Sequence, residues 1–270
     1  MPGRIAHCFV SSRGENMTTP AIELIHRHAS VRTFTADPVS KDAIGAIVAA
    51  AQRASTSSNL QVVSVVAVTD AEKRGRLSGI CGQEHVAKAP VVLVWCADLR
   101  RLDRACALRG YAQVTEYVEN FLMCALDVGI AAQNGVVAAE SLGLGVCYLG
   151  SVRNNTQAVI DLLGLPRLVF PVVGTAVGWP AGPPAVRPRL PVSAVLYWND
   201  YDAEHRDVAL VEYDRAMIAT GIYEGRQVPV PGKSGETEAY GWLEHSARRV
   251  SQAARTDLRD VLARQGFALE

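Results

Sequence analysis

The segment AAESLGLGVCYLGSVRNN, residues 138–155, contains the end of a helix and the start of a strand. Its first half is rich in small residues and then in glycine, the residue that most often ends a helix. The run VCYLG at 146–150 is apolar and too short for a helix, so we expect a strand there. A helix that leads directly into a strand predicts a protein that combines helices with a sheet.

Three further apolar runs have the length and composition of strands. Val62–Val68 and Pro90–Ala97 are rich in β-branched residues, and Val169–Val177 is similar. Continuous apolar runs predict strands that are buried on both faces, in a sheet covered by other elements. Ser40 is a suitable N-cap for a following helix. Helices are predicted at residues 22–26, 44–51, 111–142, 156–163, 207–219 and 250–261, with Gly129 as a candidate break in the longest.

Charge and composition argue against several classes of protein. The chain has 27 basic and 27 acidic residues, so no net field attracts nucleic acid or an anionic membrane. Its six cysteines form no CxxC pair, and no Cys/His group has the spacing of a metal site. Neither a run of about 18 apolar residues nor a long apolar leader is present. We therefore expect a soluble cytoplasmic protein with no metal, nucleic-acid or membrane partner.

The chain divides into three parts. Residues 1–16 show neither helical periodicity nor capping residues, which predicts a disordered or extended segment. Residues 17–201 contain all the predicted strands and form the expected core. Residues 202–270 add helices and an excursion at 221–241 that glycine and proline interrupt, and we expect them to belong to the same domain and to cover its active site.

Common catalytic and nucleotide-binding motifs are missing from the sequence. The glycines of GLGVCYLG are spaced wrongly for GxGxxG, and neither a P-loop nor a GxSxG serine elbow occurs. Polar segments instead adjoin apolar elements: HASVR at 28–32, STSSN at 55–59, GQ at 82–83, YLGS at 148–151 and RPR at 187–189. Two arginines around a proline suit a phosphate, although such arginines are more often only solvated.

The order of these segments resembles that of the nitroreductase family. HASVRTFTADPVS is similar to the R-S-x-R-x-F-x-x-x-P-[IV]-[ST] opening of that family, and STSSNLQ to its P-S-S-G-N-x-Q loop. The segment at 138–155 resembles the family's helix-to-strand connection and is the most specific match. Together with GLPRLVFPVVGTAVGWPA and RPRLP, these motifs are similar to the subgroup of NADPH-dependent, oxygen-insensitive nitroreductases and FMN reductases.

The resemblance implies a fold and a cofactor. Family members have an α+β fold, a mixed β-sheet wrapped by helices, and form intertwined homodimers that bind FMN at each interface. His28 and Ser30 would hold the phosphate with Arg187 and Arg189, and Arg32 would lie near N1 of the flavin. The other cofactor-binding residues implied by matched position are Ala29, Val31, Ser55, Thr56, Ser57, Asn59, Gln83, Tyr148, Leu149, Gly150 and Ser151.

The roles of these residues follow from the same resemblance. Gln83 would bond the pyrimidine edge of the ring, the 55–59 segment would approach it from the partner subunit, and 148–151 would lie along it. Three positions depart from the family pattern: Ser55 replaces a proline, Ala29 an arginine and Ser151 a glycine.

The implied activity is the reduction of nitroaromatics, quinones or free flavin by NADPH, or by NADH, in a ping-pong reaction on a small planar aromatic substrate. No catalytic side chain is assigned, because the flavin carries the redox chemistry. Arg226 and Lys233 are candidates for the 2′-phosphate of NADPH. Two alternatives stay open: a flavin-dependent oxidase or dehydrogenase of one metabolite, and a flavin-binding protein without turnover.

Overall fold

A computed structural model describes residues 18–202, 207–230 and 232–270 of the protein. The segment predicted at 1–16 lies outside the described residues.

The centre of the fold is a four-stranded sheet. Its strands are β1 (Val63–Val68), β2 (Val91–Asp98), β3 (Gly145–Leu149) and β4 (Val169–Gly178), in the order β1-β2-β4-β3 with antiparallel neighbours. Each lies within one residue of a predicted apolar run. A parallel bridge between Ser30 and Val146 adds a parallel contact to the sheet. All residues of β2 are buried, which confirms that other elements cover both faces of the sheet.

Ten helices and one hairpin are found in the described part of the chain. They are α1 (Pro20–His26), α2 (Lys41–Ala51), α3 (Ala71–Cys81), α4 (His85–Lys88), α5 (Arg100–Arg109), α6 (Val118–Ser141), α7 (Thr156–Leu163), α8 (Asp207–Ala219), α9 (Trp242–Val250) and α10 (Leu258–Arg264), with β5 (Gln227–Pro229) and β6 (Thr237–Ala239) forming the hairpin. Ser40 is the predicted N-cap of α2, and its Oγ accepts a hydrogen bond from the Ala43 amide at 3.1 Å.

The longest helix, α6, packs against α2 and against all four strands of the sheet. It buries Cys124, Val128, Ala132 and Val136, which recur every fourth residue on one face. The predicted break at Gly129 is wrong, because Gly129 lies exposed inside a continuous helix, where the cost of a glycine is only about 1 kcal/mol. Within the described chain, α6 also has the length and apolar composition of a membrane span, but its packing makes it a core helix.

The helix predicted at 250–261 is also wrong as a single element. The structure places two helices there, with α9 ending at Val250 and α10 beginning at Leu258. Arg255 in the connection has a left-handed backbone with φ of 58°, which an α-helix does not accommodate. Its guanidinium donates to Oδ1 of Asn154 at 3.1 and 3.2 Å and so holds the connection against the core.

Three phenylalanines pack the C-terminal end of the chain against the core. Phe121 of α6 lies 5.6 Å from Phe170 of β4 and 5.7 Å from Phe267, measured between ring centroids in edge-to-face geometry. Phe267 is fully buried. Aromatic pairs in this geometry contribute about 0.5–1.5 kcal/mol beyond their buried area, so residues after α10 pack as part of the central core.

Candidate functional site

The segment 28–32 lies beside β3 as a short strand-like stretch. The Val31 amide donates to the Val146 carbonyl at 2.9 Å, and Ala29 and Val31 are buried. Ser30 and Arg32 are exposed, as the alternation of side chains along an extended chain requires. The pairing with β3 thus turns the polar members of this segment outward, where they are free to meet a ligand.

Gly145 makes this close pairing possible. A Cβ at Gly145 would lie 2.6–2.8 Å from the side-chain carbons of Val31, closer than real contacts allow. The absence of a side chain therefore sets the distance between the 28–32 segment and β3.

Gln83 and Ser151 meet although they are distant in sequence. Gln83 follows Gly82, which ends α3 with a left-handed backbone, and the Ser151 hydroxyl donates to Oε1 of Gln83 at 2.8 Å. Ser78 holds the turn by donating to the Gln83 carbonyl at 2.9 Å. The bond fixes the side chain of Gln83 against the end of β3.

Residues 148–151 form the end of β3 and the 3-10 turn that follows it. Leu149 and Ser151 are buried, whereas Tyr148 and Gly150 are half-buried. The Tyr148 hydroxyl lies 3.2 Å from Oε1 of Gln133 on α6, to which it donates. Burial, and after it the charge of Glu140, raises the pKa of Tyr148 to about 12, so this phenol stays protonated at neutral pH.

Arg32 and Arg187 converge on Cys147 of β3. Burial raises the pKa of the Cys147 thiol, and the positive charges of both arginines oppose that rise. Arg187 acts in the same way on Tyr223 of the C-terminal part, and the Tyr213 hydroxyl donates to the Pro188 carbonyl at 3.3 Å. The charge of Arg187 thus acts at β3, and both Arg187 and Arg189 are exposed on the loop that follows β4.

The 55–59 segment is anchored to α6. The Ser57 amide donates to both carboxylate oxygens of Asp127 on α6, at 3.1 and 3.2 Å. Ser58 and Asn59 have left-handed backbones with φ of 49° and 57°, while Ser55 is exposed and Thr56 half-buried. The loop therefore has a specific conformation tied to α6 and turns Ser55, Ser57 and Asn59 towards solvent.

The two candidates for a nicotinamide phosphate lie at opposite ends of the β5–β6 hairpin. Arg226 lies at its base, with the guanidinium 5.7 Å from the ring centroid of Tyr240. Lys233 lies in the turn between the strands and forms an ion pair with Glu236 at 3.2 Å. The structure does not bring the two cations together, and Arg226 is the one beside an aromatic cluster.

Comparison with known proteins places this geometry in a family. The model of the "Nitroreductase family" matches residues 25–179, and that of the "Nitroreductase family, C-terminal domain" matches residues 187–270. The chain belongs to the nitroreductase family. The family models therefore span all the segments described above, including the hairpin that carries Arg226.

Individual relatives of this nitroreductase-family chain cover nearly its whole length. It is 38% identical to a Cr(VI) reductase of a Pseudomonas species, over 91% of this chain and 98% of that protein. It is 36% identical to the oxygen-insensitive NADPH nitroreductase of Salmonella typhimurium, over 93% and 99%. The solved NADPH:FMN oxidoreductase of Vibrio harveyi in complex with NAD+ is similar at a TM-score of 0.81 and 35% identity, over 93% and 99%.

Three further residues of this nitroreductase-family site were not predicted. His85 on α4 has a buried Nε2 with no hydrogen-bond partner among the described residues. Burial, and secondly the charge of Arg32, lowers the pKa of His85, so its imidazole is neutral at pH 7. The other two are Asp127 and Glu140, which lie on the largely apolar helix α6. Carboxylates in such a helix are noticeable in the sequence because their burial is costly, but the sequence does not show which residues they contact.

Proposed function

We propose that this nitroreductase-family protein is an FMN-dependent oxidoreductase that oxidises NADPH, or NADH, and reduces nitroaromatics, quinones or free flavin. The observation that carries the proposal is the convergence of the 28–32 segment, Gln83, residues 148–151 and Arg187 around β3. The names of its relatives, which include an NADPH nitroreductase and an NADPH:FMN oxidoreductase, support it.

The residues present around β3 fit an FMN molecule. His28, Ser30, Arg187 and Arg189 supply the cationic and hydroxyl donors that a phosphate dianion requires. His85 adds a buried ring nitrogen for which the described residues offer no hydrogen-bond partner, and the charge of Arg32 acts on this ring. A buried polar atom without a partner costs free energy, and a polar ligand that bonds it would remove that cost.

When bound, FMN supplies the hydride and electron chemistry. Arg32 provides a fixed positive charge where reduction would leave negative charge on the ring, which stabilises the reduced form. Gln83, oriented by Ser151, presents its amide group to the pyrimidine edge. Tyr148 to Ser151 offer a close backbone approach to the ring, which Gly150 favours because it has no side chain. The first half-reaction, a hydride transfer, requires no side-chain acid or base.

The proposed assembly is an intertwined homodimer in the cytoplasm. Val118, Leu122, Leu126 and Ile130 form an exposed apolar stripe along α6, at every fourth residue. Further exposed apolar side chains lie in the segment 192–201, where Trp198 is 80% exposed. Surfaces of this kind are typical of protein interfaces. A second copy that covered them would bring its own 55–59 segment to the flavin.

The acceptor is the less defined part of the proposal. Relatives of the chain are named for Cr(VI), for nitro compounds and for FMN, so family membership alone fits several acceptors. The segment 221–241, which adjoins Arg187 through Tyr223, is proposed to cover the site and to select among planar aromatic molecules.

Initial-rate kinetics test the proposed reaction. With NADPH and a nitroarene varied together, we expect parallel double-reciprocal plots, because the nicotinamide leaves before the acceptor binds the same face of the ring. Intersecting plots would rule out this exchange. If no nitroarene, quinone or flavin accepts electrons from NADPH on the enzyme, the result would favour an oxidase or dehydrogenase specific for one metabolite.

Arg226→Ala tests the nicotinamide assignment. We expect KM for NADPH to rise about tenfold, the effect of losing one charge-assisted hydrogen bond, and KM for NADH to stay unchanged because NADH has no 2′-phosphate. Lys233→Ala is the matched control and should have the smaller effect, because Lys233 already pairs with Glu236. A larger rise in the Lys233 variant would reverse the assignment.

A further inference from the structure

His28 and Glu140 form a close pair at the junction of two elements. Nδ1 of His28 lies 2.6 Å from Oε1 of Glu140, which is in the last turn of α6. The side chains are only 25% and 12% exposed, so water screens this pair weakly. Glu140 thus connects the core helix to the first residue of the 28–32 segment.

The pair fixes which ring nitrogen of His28 is available to a ligand. Nδ1 is engaged by the carboxylate, so Nε2 is the nitrogen that remains for another partner. A carboxylate behind a histidine is a common way to orient the ring.

We propose that Glu140 is a positioning residue that orients His28 to donate from Nε2 to the phosphate of FMN. The inference rests on the proposed function, because it takes FMN as the ligand of the 28–32 segment. An imidazolium that carries a proton on each nitrogen can donate to the carboxylate on one side and to the phosphate on the other. Glu140 would therefore act on the phosphate only through His28.

The orientation of His28 matters in this chain because positions 29 and 31 carry no polar side chain. Ala29 and Val31 are apolar and buried, so His28 and Ser30 are the only side-chain donors at positions 28–31. If His28 lost its orientation, Ser30 would be the remaining side-chain donor at these positions.

Binding of FMN and of riboflavin to Glu140→Ala tests the inference, since riboflavin lacks the phosphate. We expect the dissociation constant for FMN, measured by flavin fluorescence, to rise about tenfold or more, while that for riboflavin stays unchanged. Glu140→Gln keeps an oxygen acceptor for Nδ1 and should restore part of the preference for FMN. Glu119→Ala, at an exposed position in the first turn of α6, is the matched control and should bind both flavins as the unaltered protein does.

Three results would overturn the inference, and they differ in what else fails. If Glu140→Ala weakens the binding of FMN and of riboflavin equally, Glu140 only supports the fold. If it weakens the binding of neither, Glu140 does not orient His28 towards the phosphate. In both cases the proposed function stands. If the unaltered protein binds no FMN, the proposed function fails together with the inference.

Discussion

Replacing Gly145 with alanine should abolish tight FMN binding and lower the melting temperature. The new Cβ would lie 2.6–2.8 Å from the side chain of Val31, which is buried and cannot turn away. Overpacking of this kind costs about 1–3 kcal/mol of stability. Relief of the contact would move the 28–32 segment away from β3 and displace Arg32 and His28 with it. A shift of about 1 Å in such groups can cost about a hundredfold in rate.

Gly79→Ala is the matched control, a glycine-to-alanine change at a position where the new methyl group has room. Gly79 lies inside α3, and a Cβ there would meet nothing within 4 Å. Alanine should therefore raise the stability by about 0.5–1 kcal/mol and leave flavin binding unchanged. Thermal unfolding monitored by circular dichroism, together with an FMN titration, compares the two variants. Full FMN affinity in Gly145→Ala would show that the spacing between β3 and the 28–32 segment does not set the site.

Asp127→Ala should reduce kcat/KM by tenfold or more while stability is retained or increased. The carboxylate is 2% exposed, and the Ser57 amide donates to both of its oxygens. Its loss would release the 55–59 loop from its left-handed conformation at Ser58 and Asn59. Ser55, Thr56, Ser57 and Asn59 of this loop are the residues proposed to approach the flavin of the partner subunit. Burial of a carboxylate costs free energy of folding. Replacing it with alanine removes that cost, which offsets the free energy lost with the hydrogen bonds to Ser57.

Asp127→Asn separates the hydrogen bond from the charge. Its amide oxygen still accepts from the Ser57 amide, so we expect most of the activity to remain. Activity with NADPH and a nitroarene, set beside the melting temperature, distinguishes the outcomes. Equal activity in the alanine variant and the unaltered protein would show that the anchor of the 55–59 loop is dispensable.

Strands β2, β3 and β4 could be predicted from sequence because they are largely buried and so form continuous apolar runs, whereas the half-buried β1 was predicted from its run of β-branched residues. Helices α2, α7 and α8 were predicted at or close to their observed bounds for a related reason, as the first two bury a regular apolar face. Helices α3 and α5 were missed. The first half of α3 is charged, with its buried residues Leu77 and Cys81 both in the second half, and α5 buries none of its residues, so neither leaves a clear apolar period.

The candidate site was predicted only where family motifs mark it. The 28–32 segment pairs with β3, and Gln83 bonds Ser151 at the end of β3, but these joining contacts are not visible in the sequence. The bond between Ser151 and Gln83 and the pair of His28 with Glu140 each connect residues far apart along the chain. Such contacts depend on how α6 and the α3–α4 turn pack against β3, which no local pattern determines.

Anaerobic reduction of the FMN-loaded protein tests the proposed oxidoreductase activity itself. We expect NADPH to bleach the flavin absorbance in proportion to the NADPH added, and a nitroarene then to restore the absorbance without further nucleotide. A yellow protein that neither NADPH nor NADH bleaches would rule out this activity and leave a flavin-binding protein without this turnover.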